Sequence, residues 1–546
     1  MNKVLEKIIK ECLKNNVVSE KELTKIKRKE STKHNLPLPS NIELLKVYHK
    51  IIKEKRVRRN KKLEKLLTKR KIRSLSGIVV VSVLTKSWPC PGKCIFCPSE
   101  KGMPKSYVSG EPAAERAKNL NFNPYLQVKK RIEMLENQGH PTNKIELRII
   151  GGSFTFYPRK YQIWFVKECF RGANEDSKFT IKSHIKSTSS FNDRSKISKI
   201  TQILKELKKQ QKINERAKHR IVGISIETRP DLINESKIKN LRELGITMVE
   251  LGVQTVFTNI LKLNRIIESN KNISHATKLL KDTGFKVMYQ IMPNLLGASP
   301  QKDKKMFEII YRSPDFKPDW IKIYPCVVIK NTKLYKLWKD GKYNPYTNQE
   351  LINLLCKVKK ITPYFVRIAR IFRDIPAPQI EAGCKISNIR EIVLKKLTSQ
   401  KQKCHCIRCR EIKEKYNPNE KIYLFREDFL ASGGKEIFLS FESQTRDKLY
   451  AFLRLRKPLN PIFSYLNNAS IIRELHTYGK ALNIGEKDIV PQHRGFGKRL
   501  IKEAEKITKK EFKLPKIAVI SGVGAREYYR KLGYKLKDTF MIKKLY

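Results

Sequence analysis

The chain has 546 residues, and 116 Lys and Arg against 52 Asp and Glu give it a formal net charge of +64. That length supports two or three domains, and the charge exceeds what solubility requires and points to a polyanionic partner such as nucleic acid. No run of eighteen apolar residues occurs, which excludes a membrane-spanning helix, and six of the eleven cysteines fall in two tight groups, a pattern of metal sites in a reducing cytoplasm rather than of disulfides.

Residues 1–50 have the spacing of short amphipathic helices, and the N-terminus lacks the apolar stretch of a secretory leader. Residues 53–73 hold twelve Lys or Arg among 21 residues, opposed only by Glu54 and Glu64. Charge this one-sided is not used up by i,i+4 pairing, so the stretch is expected to be a phosphate-binding arm rather than a solvated helix face.

From Ser76 the texture becomes α/β. Residues 77–84 are a continuous β-branched run, as in a parallel strand buried on both faces. Directly after it, Cys90, Cys94 and Cys97 stand at C-x3-C-x2-C spacing with Gly92 in the turn. Three thiolates so spaced can hold a [4Fe–4S] cluster and leave one iron for S-adenosylmethionine (SAM), whereas a fourth cysteine would close it for electron transfer alone. A zinc knuckle is the competing reading of the spacing. Further strands are expected at 145–150, 221–226, 248–253, 286–292 and 320–324, with helices such as 124–139 and 236–244 between them. Six strands alternating with helices suggest a partial or complete (β/α) barrel whose reactive loops lie at the strand C-termini. Residues 180–218 read as a Lys/Ser-rich surface helix.

A second group, Cys404, Cys406 and Cys409, supplies three soft ligands suited to structural zinc. His405, Cys384 and Cys326 are candidates for the fourth position, His405 the weakest because it is wedged between two ligands. From about residue 420 antiparallel strands are expected at 437–441, 449–455 and 471–478. Gln492, His493, Arg494, Gly495 and Gly497 then open a helix at 499–509, where freed backbone N–H groups can cradle a pyrophosphate. A strand at 517–520 and a helix carrying Tyr528 and Tyr529 complete the layout of a GNAT acetyl-CoA-binding fold.

Taken jointly, residues 73–83, the cysteine loop, 149–154 (IIGGSF), 226–231 (IETRPD), 250–254 (ELGVQ), 261–265 (LKLNR), 322–325 (KIYP), 404–411, 473–479 and 517–524 resemble the catalytic acetyltransferase subunit of Elongator and its stand-alone archaeal and bacterial homologues. The resemblance runs from Arg73 to the C-terminus. It implies a radical SAM domain at 74–372, a zinc-binding linker at 373–420 and a GNAT domain at 421–546, and the basic charge before them makes 1–73 the expected tRNA-binding region.

The implied activity is carboxymethylation at C5 of the wobble uridine, U34, of tRNA. A SAM-derived 5′-deoxyadenosyl radical would take hydrogen from the methyl of acetyl-CoA, the carbon radical would add to the base, and the thioester would be hydrolysed. Cys90, Cys94 and Cys97 would hold the cluster, and Gly151 and Gly152 would leave room for SAM. Lys144, Glu474, Leu475, His476, Thr477 and the 492–497 loop would bind acetyl-CoA, with Tyr528 or Tyr529 beside the thioester unless they are core. An electron donor is required, and the oligomeric state is open, a homodimer included. The sequence departs from the family in its short first cysteine spacing, in Gln290 where a His is expected, and in a trimmed 478–492 segment. The prokaryotic form of the 404–406 motif speaks against accessory Elongator-type subunits. The competing function is a protein lysine acetyltransferase with a structural cluster, and a third reading is a non-catalytic tRNA-binding factor.

Overall fold

In the computed structural model the described residues are 1–54, 57–68, 74, 76–175, 198–413, 417, 419–479 and 495–546. Four helices come first: α1 (Asn2–Lys14), α2 (Glu20–Lys33), α3 (Asn41–Lys53) and α4 (Lys61–Leu67). Capping boxes at Ser19/Glu22 and Ser40/Glu43, and the Asn60 side chain, satisfy the free N–H groups that start α2, α3 and α4. Ile8, Leu45, Tyr48 and Leu67 build a small core separate from that of the rest of the chain. Of the phosphate-binding stretch expected at 53–73, the described part includes α4. Leu63, Leu66 and Leu67 bury one face of α4, so its lysines ride on a docked helix; residues 55, 56 and 69–73 of that stretch lie outside the described residues.

The second unit is a seven-stranded, all-parallel sheet. Its strands are β1 (Val79–Leu84), β2 (Lys144–Ile150), β3 (Arg220–Thr228), β4 (Met248–Gln254), β5 (Lys286–Ile291), β6 (Trp320–Ile323) and β8 (Arg367–Arg370), paired in that order. The strands β7 (Val328–Ile329) and β9 (Ile380–Ala382) form a small antiparallel pair apart from it. β1 and β8 are edges that do not pair, so the barrel is open along one seam. The seventh strand was not expected, because Arg-Ile-Ala-Arg is only four residues long and half charged. Of the stretch 180–218, a helix is described at Ser198–Asn214, and residues 176–197 lie outside the described residues.

The third unit is a sheet of β10 (Tyr423–Ala431), β11 (Gly434–Glu442), β12 (Leu449–Lys457), β13 (Ala469–Thr477), β14 (Lys516–Val519), β15 (Lys535–Lys537) and β16 (Phe540–Lys544), in the order 10-11-12-13-14-16-15. β13 pairs in parallel with β14 only from Ala469 to Ile472 and then runs on without it. That splay next to the helix Phe496–Lys510 is the GNAT arrangement.

The second and third units share one apolar core. Backbone meets backbone at the junction: a side-chain carbon on Gly522 would lie 2.1 Å from the Val222 carbonyl oxygen, and one on Gly524 would lie 2.6 Å from Arg220 Cβ. Four cations and four carboxylates are buried there together. Arg473 binds Asp319 (2.5 Å) and Glu436 (2.8 Å), Arg456 binds Asp282 (2.6 Å) and Glu436 (3.0 Å), Arg454 binds Glu474 (2.9 Å), and Lys281 binds Glu436 (3.2 Å). All eight side chains are at most 4 % exposed, so each charge depends on its partners rather than on water.

Candidate active site

The cysteine loop leaves the C-terminal end of β1, where an α/β barrel presents its reactive groups. Between the second and third cysteines, the Ile95 N–H donates to the Asn264 carbonyl at 3.1 Å. A Cβ on Gly92 would come within 2.6 Å of Arg229 Nη1, so a larger residue there would have to displace the guanidinium. Arg229 is itself fixed by a bidentate pair with Asp231 at 2.9 and 2.8 Å. Burial pushes the Cys94 thiol up to about 12 and raises Cys97 as well. Such thiols stay protonated unless a metal displaces the proton. Three thiols on one loop, with Cys97 in the wall of a large cavity, fit a cluster with one iron facing substrate.

That cavity, about 690 Å³, reaches from Cys97 to the open seam, where Val80 and Ser82 of β1 and Arg370 of β8 line it. Its floor is a charged network that the sequence reading missed. Tyr107 donates to Glu227 (2.8 Å), Gln290 donates to Glu227 (3.0 Å) and to Glu250 (3.4 Å), and the Lys322 ammonium bonds Glu250. Burial pushes the Glu227 carboxyl up, with Lys322 opposing. Burial also opposes the Lys322 charge, but Glu250, Tyr324 and Glu227 together outweigh it and hold the ammonium above its usual range. A signal was available: Glu227, Glu250 and Lys322 are charges inside otherwise apolar parallel strands, where an inward-facing position is the natural explanation. Gln290 keeps hydrogen bonds to both carboxylates without adding charge.

Gly151 (φ +128°) and Gly152 (φ +95°) follow β2. The space that Gly151 leaves is filled by Thr85, whose Oγ1 would lie 2.2 Å from a Cβ, while nothing comes nearer than 3.6 Å to a Cβ on Gly152. Lys144 starts β2 at the far end of the strand from the cysteine loop, and burial lowers its pKa, with Arg220 adding to the effect.

In the splay of β13, alternate residues part company. A Cβ on Gly497 would lie 3.0 Å from Tyr528 Oη, 3.6 Å from Thr477 Oγ1 and 3.9 Å from Leu475 Cδ2, so these four residues surround one small space. Tyr528 is 38 % exposed, whereas Tyr529 is buried beside Tyr534. Glu474 lies away from this space, in the buried ion network, and the Trp320 ring N–H points to it at 3.4 Å. His476 packs on Phe452 and Tyr478, and burial lowers it to about 4, so it is neutral at pH 7. Gly495 (φ +72°) precedes the helix Phe496–Lys510, and Gln492, His493 and Arg494 lie outside the described residues.

The sulfurs of Cys404, Cys406 and Cys409 lie within 4.8 Å of one another, and Lys359 Nζ stands 3.5 Å from Cys409 Sγ. Tetrahedral zinc with bonds of about 2.3 Å holds its sulfurs about 3.8 Å apart, which lies inside that limit. His405 packs against Tyr364 with ring centroids 4.7 Å apart and the rings tilted by 43°. Among the described residues neither Cys384 nor Cys326 joins this group, and Cys326 belongs to a different core cluster. Replacing Cys404, Cys406 and Cys409 together by Ser is expected to remove one zinc per chain by elemental analysis and to lower the melting temperature, with cluster iron retained.

The open parallel barrel and the three-cysteine loop define a radical SAM protein, and the Radical SAM superfamily model matches residues 90–310, followed by the Radical_SAM C-terminal domain model at 318–399. The tRNA uridine(34) acetyltransferase of Methanocaldococcus infernus is 43% identical to this chain over 562 residues, covering 100% of it and 99% of the relative. Human Elongator complex protein 3 is 33% identical over 548 residues, covering 96% of this chain and 93% of its own. The solved structure of the M. infernus Elp3 with an N-terminal deletion superimposes with a TM-score of 0.71, covering 86% of this chain and 100% of its own. The chain belongs to the family of tRNA uridine(34) acetyltransferases and Elongator complex protein 3.

Proposed function

We propose that this protein modifies the wobble uridine of tRNA at C5, joining an acetyl-CoA-derived carboxymethyl group to the base by radical chemistry. The observation that carries the reading is the union on one rigid body of a three-cysteine loop facing a 690 Å³ cavity and a GNAT cleft. A protein lysine acetyltransferase needs the second alone. The bound cluster and SAM would supply the hydrogen-abstracting radical. Every other part falls to this chain's residues.

Cys90, Cys94 and Cys97 would hold the cluster, with Cys97 in the cavity wall. Arg131, Arg370 and Arg408 line the cavity where the seam opens, placed to meet the phosphates beside a splayed-out base. Tyr107, Gln290, Glu227 and Lys322 present donors and acceptors for the edges of a base or the polar end of SAM. Leu475, Thr477 and Gly497 shape the acetyl-CoA cleft, and Tyr528 rather than Tyr529 faces it. Membrane attachment through a spanning helix has no support, since no described helix is long and apolar enough. Incubation with acetyl-CoA labelled in both acetyl carbons is expected to place label in tRNA only when SAM and a reductant are present. Label in protein lysines, independent of SAM, would favour the acetyltransferase alternative.

A further inference from the structure

The cysteine loop has an outer face that the reaction above does not use. The segment following β4 wraps it: Asn264, which accepts from the loop's Ile95 N–H at 3.1 Å, is flanked by Leu263, and the Ile267 carbonyl accepts from Arg229 Nη2 at 3.4 Å. Arg229 is the side chain that abuts Gly92 between Cys90 and Cys94. Leu263 thus adjoins a residue bonded to the loop backbone, and Ile267 is joined through its carbonyl to the arginine that abuts Gly92, yet they are 51% and 54% exposed. Three lysines stand on the same segments. Lys93 projects from the loop itself, Lys262 adjoins Leu263, and Lys302 bonds the carbonyl of Gly297, against which Leu263 packs. The nearby acidic residues turn to the same guanidinium: Asp231 is held by Arg229 in its bidentate pair, and Glu268, next to Ile267, is buried 3.6 Å from it.

We propose that this patch, Leu263 and Ile267 within a rim of Lys93, Lys262 and Lys302, is the docking surface of a small acidic one-electron carrier protein. The proposal rests on the reading of Cys90, Cys94 and Cys97 as cluster ligands and is independent of the chemistry at U34. Each encounter passes one electron: the carrier is oxidised by one unit, the iron–sulfur group is reduced by one, and no bond is made or broken. An apolar centre with a charged rim is the layout of a protein interface. Aliphatic side chains offer no face on which bases stack, which favours a protein over RNA here. The rim's positive charge, on a chain of net charge +64, would steer an acidic partner.

The test uses reconstituted holoprotein without tRNA or acetyl-CoA and follows bleaching of the cluster absorbance in stopped flow. Reduced acidic ferredoxin is one reductant, and dithionite, too small to need docking, is the other. Leu263→Asp/Ile267→Asp and, separately, Lys262→Glu/Lys302→Glu are expected to slow reduction by ferredoxin about tenfold or more and to leave reduction by dithionite unchanged. With the parent protein the ferredoxin rate should fall as salt rises. An unchanged ferredoxin rate in both variants overturns the proposal. So does an equal loss with dithionite, which would mean that the loop itself was disturbed. A loss of tRNA affinity with normal ferredoxin kinetics would assign the surface to RNA instead. Absence of iron from the parent protein would instead sink the cluster reading on which the proposal rests.

Discussion

Replacing Cys94 by Ala is expected to abolish reductive cleavage of SAM, to background, and to strip most of the roughly four irons expected per chain. Cys94 is the middle cysteine of the loop, and the Ile95 N–H beside it anchors the loop to Asn264. The smaller side chain leaves this backbone contact in place, so the fold and the metal at Cys404, Cys406 and Cys409 should survive. Iron analysis, the EPR signal of the reduced protein and release of 5′-deoxyadenosine read the effect. Retention of cleavage in Cys94→Ala would mean that these thiols are not the cluster ligands.

The second large effect is on stability. Asp319→Ala should cost about 3–5 kcal/mol, because it leaves Arg473 and Arg454 buried without their shared carboxylate. The same substitution removes the acceptor of the Val287 N–H at 2.8 Å, which adds to the loss. Asp319 sits on the barrel side and both arginines on the GNAT sheet, so unfolding should cease to be a single transition as the junction weakens. A control is Asp428→Ala, which removes a salt bridge whose partners are about one-third exposed and should cost no more than about 1 kcal/mol. Urea unfolding followed by fluorescence and circular dichroism measures both. A loss for Asp319→Ala no greater than for Asp428→Ala would show that the network does not join the two units.

Much of this architecture is readable from local pattern. Continuous β-branched runs such as 79–84 can serve only as strands covered on both faces, and the cysteine spacing stands out against the rest of the chain. The Ser19/Glu22 and Ser40/Glu43 boxes mark helix starts by chemistry alone. What stayed hidden depends on tertiary context. Arg367–Arg370 is a strand because β6 offers it an edge, and Arg367 finds Glu411 at 2.7 Å and Tyr478 at 2.8 Å far along the chain. β10 escaped notice because its outer face is polar and one edge is unpaired, so that Leu424 and Leu430 read as scattered surface residues. In the site, Leu475 and Thr477 face the cleft while Glu474 turns to the barrel, a division set by strand alternation that the motif as a block conceals. Glu227, Glu250 and Lys322 lie on three separate strands, and only the assembled sheet brings them into one network.

The two halves of the chain share one reaction in this account, and hydrogen transfer between their substrates tests that most directly. Anaerobic, reduced protein is given tRNA, SAM and acetyl-CoA deuterated in the methyl group, and 5′-deoxyadenosine is collected for mass spectrometry. The account predicts 5′-deoxyadenosine one mass unit heavier, formed alongside 5-carboxymethyluridine at position 34. Unlabelled 5′-deoxyadenosine accompanying modified tRNA would contradict it, because the hydrogen would then have come from somewhere other than the acetyl group.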